Sequence, residues 1–214
     1  MTAYLELTPD GKIIVKDAPH AKSVVKLLCH EAKRLAGLSQ HRWDLQFTTD
    51  TLEAINTIPI GNLVVREALW RSAIVHYAKC FGSNKARFQL DMGKTHKGLD
   101  RAKEIHEFIC DLRHKTIAHD ESPICESTAG AILNDSSVEA VDCITVSYPT
   151  LVQENFSNLA ILVKSALVFV TAEIAILKDR LFRKYVAMPY VELSALPPLL
   201  HVALTYKDVS RSKT

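Results

Sequence analysis

At 214 residues the chain is long enough for one domain with appendages and for a sizeable buried core. Hydrophobic residues make up 48% of it, against 7 glycines and 8 prolines, which excludes a disordered or low-complexity chain. A net charge of +2 excludes a global pull on nucleic acid, so any such binding must be local. Cys29, Cys80, Cys110, Cys125 and Cys143 are scattered, odd in number and never spaced as Cys-x-x-Cys. They read as reduced, mostly buried thiols of a cytosolic protein. The first residues mix polar and apolar types, unlike a signal peptide.

In chain order, Tyr4–Leu7 and Lys12–Val15 flank the turn formers Pro9, Asp10 and Gly11, and their alternation predicts a short hairpin. Val24, Leu28, Leu35 and Leu38 recur at helical spacing over 20–38, with Gly37 placed to end the helix. Asp50-Thr51-Leu52-Glu53 resembles a capping box, opening a short helix that must stop before Pro59. Asn62 is a cap for a helix over 63–81, where Trp70, Ile74, Tyr77 and Phe81 line one face. A basic loop over 82–98 follows, and then a helix from about Leu99 to His119. The small, polar stretch 122–137 reads as a surface loop. Alternation around Ile144, Val146 and Tyr148 predicts a strand near 142–148, able to pair with the N-terminal hairpin. A long helix over 152–185 comes next, and the tail 189–214 reads as extended.

Within the long helix, Leu159–Leu177 has about the length of a membrane span. Lys164 and Glu173 would be costly at bilayer depth, so core or a partner subunit is the expected cover. The fold class is therefore mainly α: a bundle of four to five helices with a small β element. One domain is expected over 1–188, comprising a hairpin at 1–18 and a helical core at 20–185 with a β insertion near 122–149.

The most informative stretch is Asp111-Leu112-Arg113-His114-Lys115-Thr116-Ile117-Ala118-His119-Asp120. On an ideal α-helix Ala102, Ile105, Ile109, Leu112 and Thr116 form one apolar stripe. Arg113 then lies about 60° to one side of that stripe and His119 about 60° to the other, while His114 and Lys115 point away. His106 shares the side of Arg113. Arginine offers a permanently charged fork matched to phosphate oxygens, and histidine moves its proton near neutral pH. The pair suits phosphodiester chemistry without a metal or cofactor. A purely structural reading also fits. An imidazolium is favoured in a last helical turn, and Arg113 can pair with a glutamate across an interface.

These residues resemble the Arg-x(4–6)-His signature of HEPN domains, and "LRHKTIAHD" is similar to the abortive-infection-type members of that superfamily. The resemblance is sharp at the motif and diffuse over Leu63–Arg183. It implies a helical bundle, a homodimer whose twofold axis joins two Arg-His helices in one groove, and RNA cleavage by the ribose 2′-hydroxyl. His119 would transfer a proton and Arg113 would stabilise the phosphorane. His114, at the polar position after the arginine, would place substrate or supply a second imidazole. A toxin or antiphage effector in the cytoplasm is then expected, with RNA and an antitoxin or other protein as partners. The alternative is a non-catalytic HEPN-like module that binds RNA or protein.

Lys79, Lys85, Arg87, Lys94, Lys97, Arg101 and Lys103 outnumber Asp91 and Asp100 around the basic loop. Among them Lys85, Arg87, Lys94, Lys97 and Arg101 are the candidate RNA contacts, against the plain alternative of a solvated loop. Lys178, Arg180, Arg183 and Lys184 suit a helix C-terminus equally well. Gly93-Lys94 lacks the glycines of a phosphate-binding loop, and no His/Cys set has zinc spacing. Trp70, His76 and Tyr77 read as core, with a base able to stack there if they border the groove.

Overall fold

The computed structural model describes residues 5–7, 13–15, 23–83, 87–119 and 124–199. Helix dominates. The chain runs β1 (Leu5–Leu7), β2 (Ile13–Val15), α1 (His30–Thr57), α2 (Leu63–Lys79), α3 (Met92–Thr95) and α4 (Ala102–Asp111). A π-helix (Leu112–Ala118), β3 (Cys125–Leu133), β4 (Val138–Ser147), α5 (Gln153–Val186) and α6 (Tyr190–Ser194) follow. The residues divide into two compact units. One takes the chain up to Ser39, Arg87 and Phe88, and everything from Ala172 onward; the other takes Gln40–Ser83 and Gln89–Thr171.

In the first unit, β1 and β2 pair antiparallel in the register Leu5↔Val15 and Leu7↔Ile13, the hairpin read from the alternation. The helix expected over 20–38 differs. Residues 23–29 are not helical, and α1 begins at His30 and passes straight through Gly37. Gly37 keeps a negative φ, so it is no left-handed cap. Its missing side chain serves a close approach instead, because a Cβ there would lie 2.8 Å from the Phe88 ring. Arg34 sits over that ring at 4.9 Å and pairs with Glu173 at 3.2 Å. Beyond Pro189 the chain first forms α6, and then Pro198 bridges antiparallel to Val25.

The second unit carries the motif. Its buried apolar residues come from α1 (Leu45, Leu52, Ile55), α2 (Trp70, Ala73, Ile74, Tyr77), α4 with the π-helix (Ile109, Leu112) and α5 (Leu159, Leu162, Val163, Ala166, Val170). The expected capping box at Asp50–Glu53 lies mid-helix, because residues 50–53 continue the turns of α1. Asp50 accepts from Gln46 one turn back, and the Thr51 hydroxyl donates to the Phe47 carbonyl, so neither is left to cap. The helix ends at Thr57, ahead of Pro59. There Arg66 of α2 donates to the carbonyls of Ile55 and Ile58 at 2.6 and 3.0 Å, supplying the cation that the last turn of α1 lacks. Asn62 caps α2 by accepting from the Val65 N–H. Trp70, Ile74 and Tyr77 are its buried face, as the spacing predicts, and Phe81 is buried just past its end.

Residues 125–133 are not a loop but strand β3, paired with β4 from Cys125↔Ser147 to Leu133↔Val138. The strand predicted near 142–148 is therefore present but pairs with its sequence neighbour rather than with the N-terminal hairpin. Asn134 makes the local pairing cheap, since its side chain accepts from the N–H groups of Ser136 and Ser137 and closes the turn. The ribbon is solvent-exposed along nearly its whole length, so Cys125 and Cys143 are exposed thiols and only Cys80 is fully buried.

Helix α5 matches its expected span within a residue at each end. It is long and apolar enough to cross a membrane, although that test is also passed by core helices of soluble proteins. Its buried stripe runs Leu159, Leu162, Val163, Ala166, Val170, Ile174, Leu177 and Leu181, while Ile161, Val168, Ile176 and Phe182 are exposed.

Candidate functional site

The apolar stripe of α4 is as the wheel places it: Ala102, Ile109 and Leu112 are buried and Ile105 half-buried. At Leu112 the register changes. The α-helical bonds give way to i→i+5 bonds through Ala118, and the His119 N–H donates to the His114 carbonyl at 3.2 Å. The apolar spacing favours this widening, because Leu112 and Ile117 lie five apart and the π register turns both inward. Chain direction then changes sharply at His119, which is extended (φ −135°, ψ 151°).

This register alters the geometry read from an ideal α-helix. Residues five apart lie about 140° apart around an α-helix. Here the imidazoles of His114 and His119 meet edge to face, with ring centroids 5.0 Å apart. His114, which the α-wheel turns away from the site, is thus the neighbour of His119. Arg113, His114 and His119 are all exposed, and Arg113 forms no hydrogen bond or ion pair among the described residues. Lys115, beside them, is held by Asp111 at 2.8 Å. Two imidazoles and a guanidinium are therefore exposed on one turn, and among the described residues no carboxylate pairs with the arginine.

The basic candidates scatter. Lys94 and Lys97 are exposed and form no ion pair among the described residues. Arg101 is exposed but makes a two-pronged pair with Glu104 at 2.7 and 2.9 Å, which spends part of its charge locally. It also holds a left-handed φ of 52°, uncommon for a residue with a Cβ. Arg87 is half-buried and belongs to the other unit, and Lys85 lies outside the described residues. Among the other basic neighbours, Lys79 pairs with Asp44 and Lys103 with Glu107.

A second histidine cluster joins α2, α4 and the chain between them, with Tyr77 and His96 buried and His106 and Cys110 half-buried; of these only His96 was not named from the sequence. The Tyr77 hydroxyl lies 3.1 Å from His96 Nε2 and 2.8 Å from His106 Nδ1, and Cys110 Sγ lies 3.5 Å from His106 Nε2. All three bonds can be made with every group neutral, the protons running either from Cys110 through His106 and Tyr77 to His96 or in the reverse direction. Burial, with His106 nearby, lowers His96 to a pKa of about 4. Burial also lowers His106, raises Cys110 to about 11 and raises the Tyr77 phenol further. His96 Nδ1 is buried without a partner among the described residues. A cavity of about 350 Å³ opens beside His106, between Phe81, Leu90 and Met92. The spacing of α2 and α4 cannot reveal His96, because it is brought in by the irregular chain between them.

A third arrangement joins α1 to α2. His76 Nδ1 donates to Asp44 Oδ1 at 2.7 Å, and Lys79 Nζ donates to the same oxygen at 3.0 Å. Trp43 and Phe47 flank the His76 ring.

Among the described residues, no group of three or more His, Cys, Asp or Glu is arranged to hold a metal ion. Comparisons with protein-family models, curated proteins and solved structures find no match.

Proposed function

We propose that the chain is a HEPN-like, metal-independent endoribonuclease that acts in the cytoplasm as a toxin or antiphage effector. The observation that supports this reading is the edge-to-face pair His114–His119 beside an exposed Arg113. Cleavage by the 2′-hydroxyl needs a base for that proton, an acid for the leaving 5′-oxygen and a cation for the phosphorane. One imidazole takes the proton, the other supplies one, and the guanidinium forks across two phosphorane oxygens. The 2′-hydroxyl oxygen bonds to phosphorus as the 5′-oxygen leaves, giving a 2′,3′-cyclic phosphate and a 5′-hydroxyl. A homodimer would bring two such turns to one groove.

Purified protein incubated with total RNA and a chelator tests the reading. Single-stranded RNA should be cut to those termini and DNA left intact, since DNA lacks the attacking hydroxyl. His119→Ala should lose on the order of 10²-fold or more in rate by removing a proton-transfer group. Arg113→Ala should lose a comparable factor by leaving the phosphorane unpaired. Wild-type protein inert on RNA, with both variants losing thermal stability, would make the motif structural and favour a non-catalytic HEPN-like binding module.

A further inference from the structure

Trp43 is left 63% exposed on α1 and Phe47, one turn on, 38% exposed. Their rings stack with centroids 5.8 Å apart and planes 21° apart. The His76 ring of α2 joins them, 4.3 Å from Phe47 and 5.9 Å from Trp43. Behind the rings lies Asp44, its side chain only 3% exposed, accepting from His76 and from Lys79. A buried carboxylate is costly unless its partners are held well, and here it fixes the plane and tautomer of an imidazole that keeps 19% exposure. The result is a rigid aromatic surface with a cation at its edge, since Lys79 is 47% exposed.

We propose that Trp43, Phe47 and His76 form a stacking platform for an unstacked nucleobase of single-stranded RNA, with Asp44 as the positioning residue and Lys79 beside the phosphate. The proposal rests on the ribonuclease reading and names a substrate subsite for it. The size of the patch favours a base over a protein. Three partly covered rings are far smaller than the roughly 800 Å² per partner of a stable protein interface. A base offers a flat face to each ring and a phosphate to the adjacent ammonium, and stacking of this kind tolerates any sequence. An apolar side chain of another protein would use neither the fixed imidazole nor Lys79.

The two tryptophans make the test direct, because Trp70 is fully buried and Trp43 is not. An uncleavable 2′-O-methyl oligocytidine is titrated into full-length protein while tryptophan emission is recorded. The same oligomer without bases serves as the control for phosphate binding. The base-bearing oligomer should quench emission and the abasic one should not. Trp43→Ala, checked by circular dichroism, should weaken binding on the order of tenfold. Asp44→Asn should weaken it less, by loosening the ring of His76. Equal binding by the abasic oligomer, or unchanged affinity in Trp43→Ala, overturns the platform. A change of oligomeric state in Trp43→Ala would reassign the rings to a protein interface and also overturn it. If binding depends on Trp43 but no RNA is cut, the platform stands and the ribonuclease reading falls. If RNA is cut and Trp43→Ala cuts and binds as wild type, the reverse holds.

Discussion

His114 and His119 touch edge to face at 5.0 Å because the chain between them turns in i→i+5 register. An α-helix would carry the second ring about 140° away around the axis. Runs of π-helix are rare, and they occur often at functional sites. Here the irregular turn gives a single chain two adjacent imidazoles, where the α-wheel gave it one and required a partner to supply the other.

The ring pair itself can be tested. Replacing His114 with Ala removes one of the two rings that this register brings together. Helix content by far-UV circular dichroism should stay close to wild type, since Ile109 and Leu112 keep their buried positions. RNA cleavage should fall on the order of 10²-fold, as for loss of one proton-transfer group. A His114→Ala variant that cuts RNA at the wild-type rate would show that the ring pair is not the chemistry.

The buried cluster predicts a stability profile. His96 is neutral in the folded protein at a pKa of about 4, lowered by burial and by His106, and burial lowers His106 as well. Unfolded histidine binds its proton near pH 6.5. Below that value the unfolded chain takes up protons that the folded chain refuses, so stability is full above it. It declines as the pH falls from about 6.5 towards about 4. For His96 the loss is on the order of 2 kcal/mol once screening is allowed for. Urea midpoints at pH 7 and pH 5 measure the decline. His96→Gln should flatten it, and an equal slope in that variant would locate the effect elsewhere.

Much of this was legible in the sequence for a physical reason: regular periodicity survives wherever an element has one buried face. The stripes of α2, α4 and α5 follow that rule. Gly37 misled, because a glycine needed for close approach to Phe88 carries the same letter as one needed to end a helix. Strand β3 was hidden because its small and polar run Glu126–Gly130 carries no hydrophobic alternation, whereas the equally exposed β4 keeps one at Ile144 and Val146. At the site, Arg113 and His119 were visible as a motif, but the partnership of His114 was not. It depends on a bonding register that no α-periodic pattern encodes. The pairing of Asp44 with His76 joins two helices across 32 positions, a separation that local spacing does not report.

The basic loop contributes less than its composition suggests, since Arg101 and Lys103 each meet a carboxylate. Lys94 and Lys97 remain the exposed cations without an ion pair among the described residues. Replacing both with Ala should weaken binding to single-stranded RNA and reduce the slope of log affinity against log salt by about 1.4, at about 0.7 per phosphate released. Adding Arg101→Ala should change little more. A slope unchanged by the double replacement would return the loop to plain solvation.

The outer face of α5 raises the question of what covers it. Ile161 and Val168 are two helical turns apart on nearly one line and stand 51% and 66% exposed, opposite the stripe that fills the core. A bilayer would have to accept Lys164, exposed between them, at a cost of a few kcal/mol. A second copy of the chain can leave that ammonium at the rim of the contact while burying both apolar side chains. Light scattering at micromolar protein should therefore give twice 23.9 kDa. Replacing Ile161 and Val168 together with Glu should give a monomer whose core is intact by near-UV circular dichroism, since neither side chain contributes to it. A wild-type monomer would remove the composite groove and leave each His114–His119 pair to act alone. Co-flotation of the wild type with lipid vesicles, abolished by the same double replacement, would assign this face to a membrane instead.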